Sequence, residues 1–443
     1  MLSTTPFSPS LLLTLGFAAL LVLQLLTRLW LLSRQVRHVA RHRAEVPAAF
    51  AQHVRLAAHQ KAADYTLAKA RVGLVDLALS TALLLGWTLL GGLDALHQQL
   101  LQWLGQGLHQ QIALLAAFAL ISGLVGLPLS LYQTFVIEQR FGFNKLTPKL
   151  WLADLFKSTL VGAVIGLPLA ALILWLMASS GALWWLWAWI VWAGFNLLLM
   201  WLYPSVIAPL FNRFEPLKDE AIQQRVTALM QRCGFSAKGL FVMDGSRRSA
   251  HANAYFTGFG SAKRVVFYDT LLKQLAPNEV EAVLAHELGH FKHRHITKRL
   301  VGLFAMSLAA LALLGWLSQQ PWFYTGLGVR PSLEMLLTGA SALAGNEAVA
   351  LLLFMLVTPV FSFFLAPLMS HFSRRDEFEA DAYAAAQSQG GDLASALLTL
   401  YEDNASTLTP DPTYVAFYYS HPPAIERLAR LPAPAPALAP NAS

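Results

Sequence analysis

Residues 285–317 read AHELGHFKHRHITKRLVGLFAMSLAALALLGWL. Two histidines bracket a glutamate, further histidines and bases follow, and from Leu300 the apolar residues run long enough to cross a bilayer. Ligand-type side chains pressed against a membrane segment have two readings. They build a metal site at the bilayer surface, or they form a basic collar there. The rest of the chain decides between the two.

Composition sets the frame. Of 443 residues, 56% are hydrophobic and 13% charged, with a mean hydropathy of +0.49. A soluble domain carries about 25% charged residues, so a bilayer is part of this chain's solvent. The formal net charge of +7 is explained by Lys and Arg beside membrane segments rather than by nucleic-acid binding. Cys233, the single cysteine, excludes an intramolecular disulfide framework and a Cys-rich zinc ribbon.

Seven runs have the length of a crossing, near residues 10–32, 72–92, 112–134, 158–178, 182–202, 300–318 and 347–368. The first lacks a basic n-region and exceeds the apolar length of a signal peptide, so it is expected to remain as a helix. The first loop carries Arg34, Arg37, Arg41, Arg43, Arg55 and Lys61, and the third Arg140, Lys145, Lys149 and Lys157. The second loop has no Lys or Arg, and the stretch between the sixth and seventh runs has only Arg330. Positive loops mark the cytoplasmic side. This places the N-terminus outside, and both the 203–299 region and the C-terminus inside. Asp76, Thr159 and Asn196 lie near membrane depth, where polar groups face a wet interior or bond between helices. The run ALWWLWAWIVW (182–192) reads as interfacial anchoring and lipid contact.

The expected organisation is mainly α and polytopic. Residues 1–202 hold five helices and 203–299 a small α+β catalytic module; 300–368 hold two more helices and 369–430 a C-terminal catalytic segment. The module opens with YPSVIAPLFNRFEPL, a proline-punctuated exit from the bilayer, followed by the amphipathic helix DEAIQQRVTALMQRCGF. The β-type runs GLFVMD, NAYFTGF and RVVFYD then suggest a meander. Either NAYFTGF or RVVFYD at a sheet edge would receive an extended peptide as an added strand. The Pro/Ala-rich tail, 431–443, is expected to be disordered.

The stretch APNEVEAVLAHELGHFKHRHI starts at a proline with acidic residues in its first turn, so it reads as a helix. His286 and His290, four apart, share one face and can reach one zinc ion. Glu287 then lies beside the open coordination position as general base. The third ligand is not His at position 296, because that residue is Ile296. His293 and His295 read as the basic collar. In SRRDEFEADAYAAA, just after the seventh run, Glu377 and Asp381 stand four apart on a helix. Glu377 is the candidate third ligand, and Asp381 would accept a hydrogen bond from a ligand imidazole and fix its orientation. Glu379 reads as solvated.

HELGH followed by SRRDEFEADAYA resembles the type I CAAX prenyl proteases, integral-membrane zinc metalloproteases of the glutamate zincin type. IEQRFGFNKLT (137–147), HANAYFTGFGSAKRVVFYDTLL (251–272) and SHPPAIERLAR (420–430) extend the likeness over most of the chain. The resemblance implies seven helices enclosing an intramembrane chamber, with one zinc per chain at its cytoplasmic end. It assigns zinc to His286, His290 and Glu377 and the base to Glu287. It also implies that Asn253 holds the substrate backbone, that His421 stabilises the oxyanion, and that Arg427 supports the site. The expected substrate is a peptide or lipidated peptide cut near its C-terminus beside membrane lipid, with no nucleic-acid partner. The ending APNAS shows no dilysine-type retention signal, and a bacterial inner-membrane homologue is expected. Two other functions stay open: a quality-control metalloprotease with no prenyl requirement, and a channel or transporter with a structural zinc. The second is disfavoured because a structural site closes all four positions with protein ligands.

Overall fold

Among the described residues of the computed structural model, seven helices are long and apolar enough to cross a bilayer: Pro9–Arg41, Leu56–Trp87, Leu108–Glu138, Pro148–Ser179, Gly181–Phe211, His295–Leu317 and Glu347–Gln387. The structure describes residues 8–237, 239–257, 264–331, 345–389 and 391–432. The expected disordered tail lies outside them from residue 433 onward. Five of the seven expected runs fall inside these helices, whereas the second run (72–92) extends past the helix end at Trp87 and the sixth (300–318) past Leu317 by one residue. Most of the helices continue beyond the apolar segment at the end that bears the α+β module. The fifth is the clearest extension. The expected exit after Leu202 is instead a wide π-turn over Tyr203–Ile207, and the helix continues to Phe211. Pro204 and Pro209 lack the N–H that the regular ladder needs, so the backbone widens rather than stopping.

Each span packs on the next from the first to the sixth, and the seventh touches the first, third, fourth and sixth. Burial along these helices is uneven. In the third span Ile137 is buried at the end against the module, and the only other buried residues, Gln110, Gln111 and Leu114, sit at its start. In the fourth, Leu174, Leu176 and Met177 sit at its end. These ends join Trp87, Leu93, Trp184, Leu314, Tyr324 and Val349 in one apolar core opposite the α+β module. Across the apolar windows of the first six spans, only 6–17% of residues are buried in protein. Close-packed interiors leave few voids, so helices plugged at one end and bare along their middles enclose a chamber. Trp184, expected at the lipid boundary, is instead part of the plug, with 1% of its surface exposed. Trp187 and Trp201 are exposed.

The α+β module carries a four-stranded sheet of β1 (Phe214–Pro216), β2 (Gly239–Met243), β3 (Ala254–Thr257) and β4 (Arg264–Tyr268), in the order β1-β2-β4-β3. The expected strands exist, but they do not form a meander. β2 and β4 run parallel side by side, and β3 pairs antiparallel on the far side of β4. A hairpin from β2 to β3 would need a short turn. Here Arg248 is drawn away by Asp154, with two bonds of 2.8 and 3.0 Å, and Ser249 bridges to Asn144. The chain therefore visits the membrane helices before returning as β3. The sheet's apolar face, with Val265 and Phe267, packs with Leu229, Val280, Leu284 and Leu288. That packing seats the helix Pro277–Lys292.

Candidate active site and metal centre

Pro277 opens the HELGH helix, where the Glu279 carboxylate accepts from the Ala276 N–H at 2.8 Å. Burying Val280, Leu284 and Leu288 against the sheet leaves the 286/290 face turned away from it. The sequence suggests one helix through Ile296, but the structure breaks it: Arg294 is left-handed at φ 57°, and the sixth span begins at His295. The other half of the site comes from the helix Ala366–Gln387. The two helices cross so closely that a Cβ on Gly289 would stand 2.9 Å from Ala380 Cα and 3.1 Å from its carbonyl oxygen.

At that crossing three donors converge. Nε2 of His286 and Nε2 of His290 are 3.3 Å apart. Glu377 presents Oε2 to His286 at 3.4 Å and Oε1 to His290 at 3.5 Å. Donors about 2.1 Å from one tetrahedral ion stand about 3.4 Å from each other, so this spacing suits a single small divalent cation. Glu377 Oε2 is also buried without a hydrogen-bond partner among the described residues, as an atom reserved for a metal would be.

The surrounding groups hold this set in place. Asp381 Oδ1 lies 2.9 Å from His286 Nδ1, turning the other ring nitrogen toward the cluster. Arg427, a surface base on its local sequence, is buried and grips Asp381 with two bonds of 2.6 and 2.8 Å. His421 reaches in from the cleft mouth, with Nε2 3.5 Å from Glu377 Oε2, while most of its side chain stays exposed. Burial alone would lower the His286 pKa, but hydrogen bonds with Asp381 and Glu377 reverse this and hold it at about 9. His290 falls to about 4, mainly through burial and then through the neighbouring His286 charge. Burial raises the Glu287 carboxyl above its usual range, which makes it a stronger base than a solvated glutamate.

A cavity of about 840 Å³ begins at this cluster. Asn253, His286, Glu287, His421 and Arg427 border it, and it reaches Leu32, Thr66, Lys69 and Gly73 on the first two spans. Asn253 is exposed just before β3, with its carbonyl accepting from Tyr268 N–H at 3.0 Å. Every site residue expected from the sequence is thus brought to one place.

One participant escaped sequence reasoning. His295, read as part of a basic collar, is buried; its Nδ1 lies 3.0 Å from His290 Nδ1 and its Nε2 3.1 Å from Glu379 Oε2. Glu379, expected to be solvated, anchors that histidine. His295, Asp376 and Glu379 form a second cation-sized cluster, but Arg299 and Arg375 already pair with its two carboxylates. The missing signal was the helix break: on a continuous helix, position 295 would not face position 290.

Residues 216–435 match Peptidase family M48, and residues 35–213 match the CAAX prenyl protease N-terminal region of five membrane helices. A CAAX prenyl protease 1 homolog of Arabidopsis thaliana is 38% identical over 325 residues, covering 72% of each chain. The chain belongs to the CAAX prenyl protease family of M48 metallopeptidases. Its relative CAAX prenyl protease 1 of Saccharomyces cerevisiae is 36% identical over 334 residues, 73% of this chain and 72% of that one. The crystal structure of S. mikatae Ste24p superimposes with a TM-score of 0.86 at 30% identity, over 95% of this chain and 99% of that one. Membership makes this multi-pass protein a metalloendopeptidase with a metal cofactor, and the His286–His290–Glu377 cluster is a donor set that fits one.

Proposed function

We propose that this protein is a zinc endopeptidase that cuts prenylated peptides near their C-terminus, at a site on the cytoplasmic face of its membrane. The observation that carries the reading is the convergence of His286, His290 and Glu377 beside Glu287 at the head of a cavity running into the spans. In this reading His286, His290 and Glu377 hold zinc, which when bound acidifies a water and polarises a carbonyl. Glu287 takes the proton from the attacking water and passes it to the leaving amine. His421 donates toward the developing oxyanion, where such a donor contributes about 2.7–4 kcal/mol. Asp381 and Arg427 keep the His286 ring in its binding orientation.

Substrate placement follows from the sheet order. β3 is an edge strand, whereas β4 is flanked on both sides. Of the two expected docking strands, only NAYFTGF stands at an edge, and its last residues, Gly258 and Phe259, lie outside the described residues. An extended peptide added along β3 would gain main-chain hydrogen bonds with little dependence on sequence, with Asn253 at the end nearest the metal donors. The apolar chamber offers room for a prenyl chain. The alternation of Lys and Arg between loops supports the cytoplasmic orientation.

The test compares a farnesylated peptide with its unprenylated counterpart on the purified protein in detergent. Preference for the farnesylated peptide, lost on chelation and restored by zinc, is the expected result. Equal cleavage of both would favour a quality-control role, and no cleavage of either would overturn the enzyme reading of this site.

A further inference from the structure

The segment IEQRFGFN (137–144) at the end of the third span has no role in the mechanism above, yet it is riveted to the approach to β3. The Phe143 carbonyl accepts from Ala250 N–H at 3.1 Å, and the Arg248 carbonyl accepts from Lys145 N–H at 3.1 Å. The Phe143 ring stacks on the His251 ring at 4.3 Å and 16°. Glu138 places Oε2 3.9 Å from His251 Nε2, while its Oε1 accepts from the Tyr65 hydroxyl at 2.7 Å. On the other side, Asn404 Oδ1 lies 3.1 Å from His251 Nδ1 and accepts from Ala252 N–H at 3.2 Å. Thr270 Oγ1 donates to the His251 carbonyl at 2.9 Å. His251 is therefore held between the third span's extension, which Tyr65 of the second span braces through Glu138, and the C-terminal segment. It borders the cavity two residues before Asn253.

We propose that Glu138 and His251 are positioning residues: the IEQRFGFN segment clamps His251 and so sets where the β3 edge, and a peptide lying on it, stands relative to the metal donors. The physical need is specific. An edge strand is paired on one side only, so its lateral position depends on β4 and on how its entry is anchored. β4 belongs to the module, whereas Glu138 and Tyr65 belong to the membrane helices that wall the chamber and Phe143 lies in the turn that follows directly on the third of them. The clamp thus ties peptide register to the part of the protein that would receive the lipid chain. Simple helix-to-module adhesion would be served by apolar packing. Here a partly exposed imidazole is held between two polar groups at the cavity wall.

This proposal rests on the reading of β3 as the substrate strand, and the experiment separates the two. Glu138→Ala, His251→Ala, their double variant, Glu138→Gln and Asn253→Ala are assayed on the farnesylated peptide, with metal content measured and the cleaved bond located by mass spectrometry. Misplacing reacting groups by about 1 Å costs up to about 100-fold, so kcat/KM should fall about 10- to 100-fold in each alanine single variant at undiminished metal content. A minor product cut at a neighbouring bond should appear. The double variant should be no worse than the worse single one, because the two side chains act through each other. Glu138→Gln, which keeps the acceptor for Tyr65, should recover part of the loss. Additive losses, losses that track metal content, or a single cleavage site at wild-type rate would overturn the clamp. If Asn253→Ala alone impairs cleavage, the clamp fails and the β3 reading stands. If Asn253→Ala is also silent, the β3 reading fails and takes the clamp with it.

Discussion

At the scale of single residues, two carboxylates and one base are separated by what each touches. Glu287 borders the cavity beside the donor cluster without belonging to it. Glu287→Ala should therefore abolish cleavage, with a loss of at least about 10²–10⁴-fold for a removed general base, while metal stays near one per chain by elemental analysis. Loss of metal together with activity would reassign Glu287 as a ligand. Glu377 aims both oxygens at the imidazoles, whereas Asp381 meets the far nitrogen of His286 and Arg427. Asp381→Ala should weaken metal affinity about 10–100-fold and recover in excess zinc; Glu377→Ala should not. Zinc titration of both chelator-stripped variants decides this, and equal rescue or equal failure would erase the distinction. The His286/His290 and Glu377/Asp381 spacings were legible in sequence because helical periodicity alone puts four-apart residues on one face.

At the scale of elements, the site is a helix crossing. Gly289 gives the HELGH helix its close approach to Ala380. Gly289→Ala would push two backbones apart; overpacking of this kind costs about 1–3 kcal/mol and would separate Glu377 from the histidines. A lowered Tm with metal released at lower chelator concentration is the expected result, and an unchanged metal affinity would show that the crossing has slack. The helix break at Arg294 gives a second expectation. His295→Ala should reduce metal retention by removing the partner of His290, whereas His293→Ala, whose Nδ1 reaches Glu379 only at 3.9 Å, should not. Isothermal titration with zinc would read both. These contacts were not legible because nothing local marks a left-handed arginine. The sheet order escaped for a similar reason: the pull of Asp154 on Arg248 comes from the fourth span.

At the scale of the whole molecule, the helices are plugged at one end and capped by the module at the other. Gly73 faces open space, since a Cβ added there would meet nothing within 4 Å, and it borders the cavity far along the chain from the donors. Gly73→Phe should fold with little change in Tm yet narrow the chamber. The KM for the farnesylated peptide should rise by about tenfold, within the range a pocket imposes on a mismatched apolar group, while a short unprenylated peptide is unaffected. An equal effect on both substrates would place the prenyl chain elsewhere.

Composition and spacing were enough to indicate the solvent, the seven crossings, the shared helix face of His286 and His290 and the spacing of Glu377 and Asp381, since each depends on residue content or on periodicity within one helix. Asn253, His421 and Arg427 had no local signature and were visible only through family resemblance. How they meet is a matter of tertiary packing: Arg427 becomes buried because Asp381 offers it two oxygens, and His421 reaches Glu377 from a loop more than a helix away. The same packing makes β3 rather than β4 the edge, gives His295 to His290, and leaves the spans surrounding a hollow instead of filling it. In each case partners far apart in the chain compete for the same side chain, and periodicity within one element carries no information about that competition.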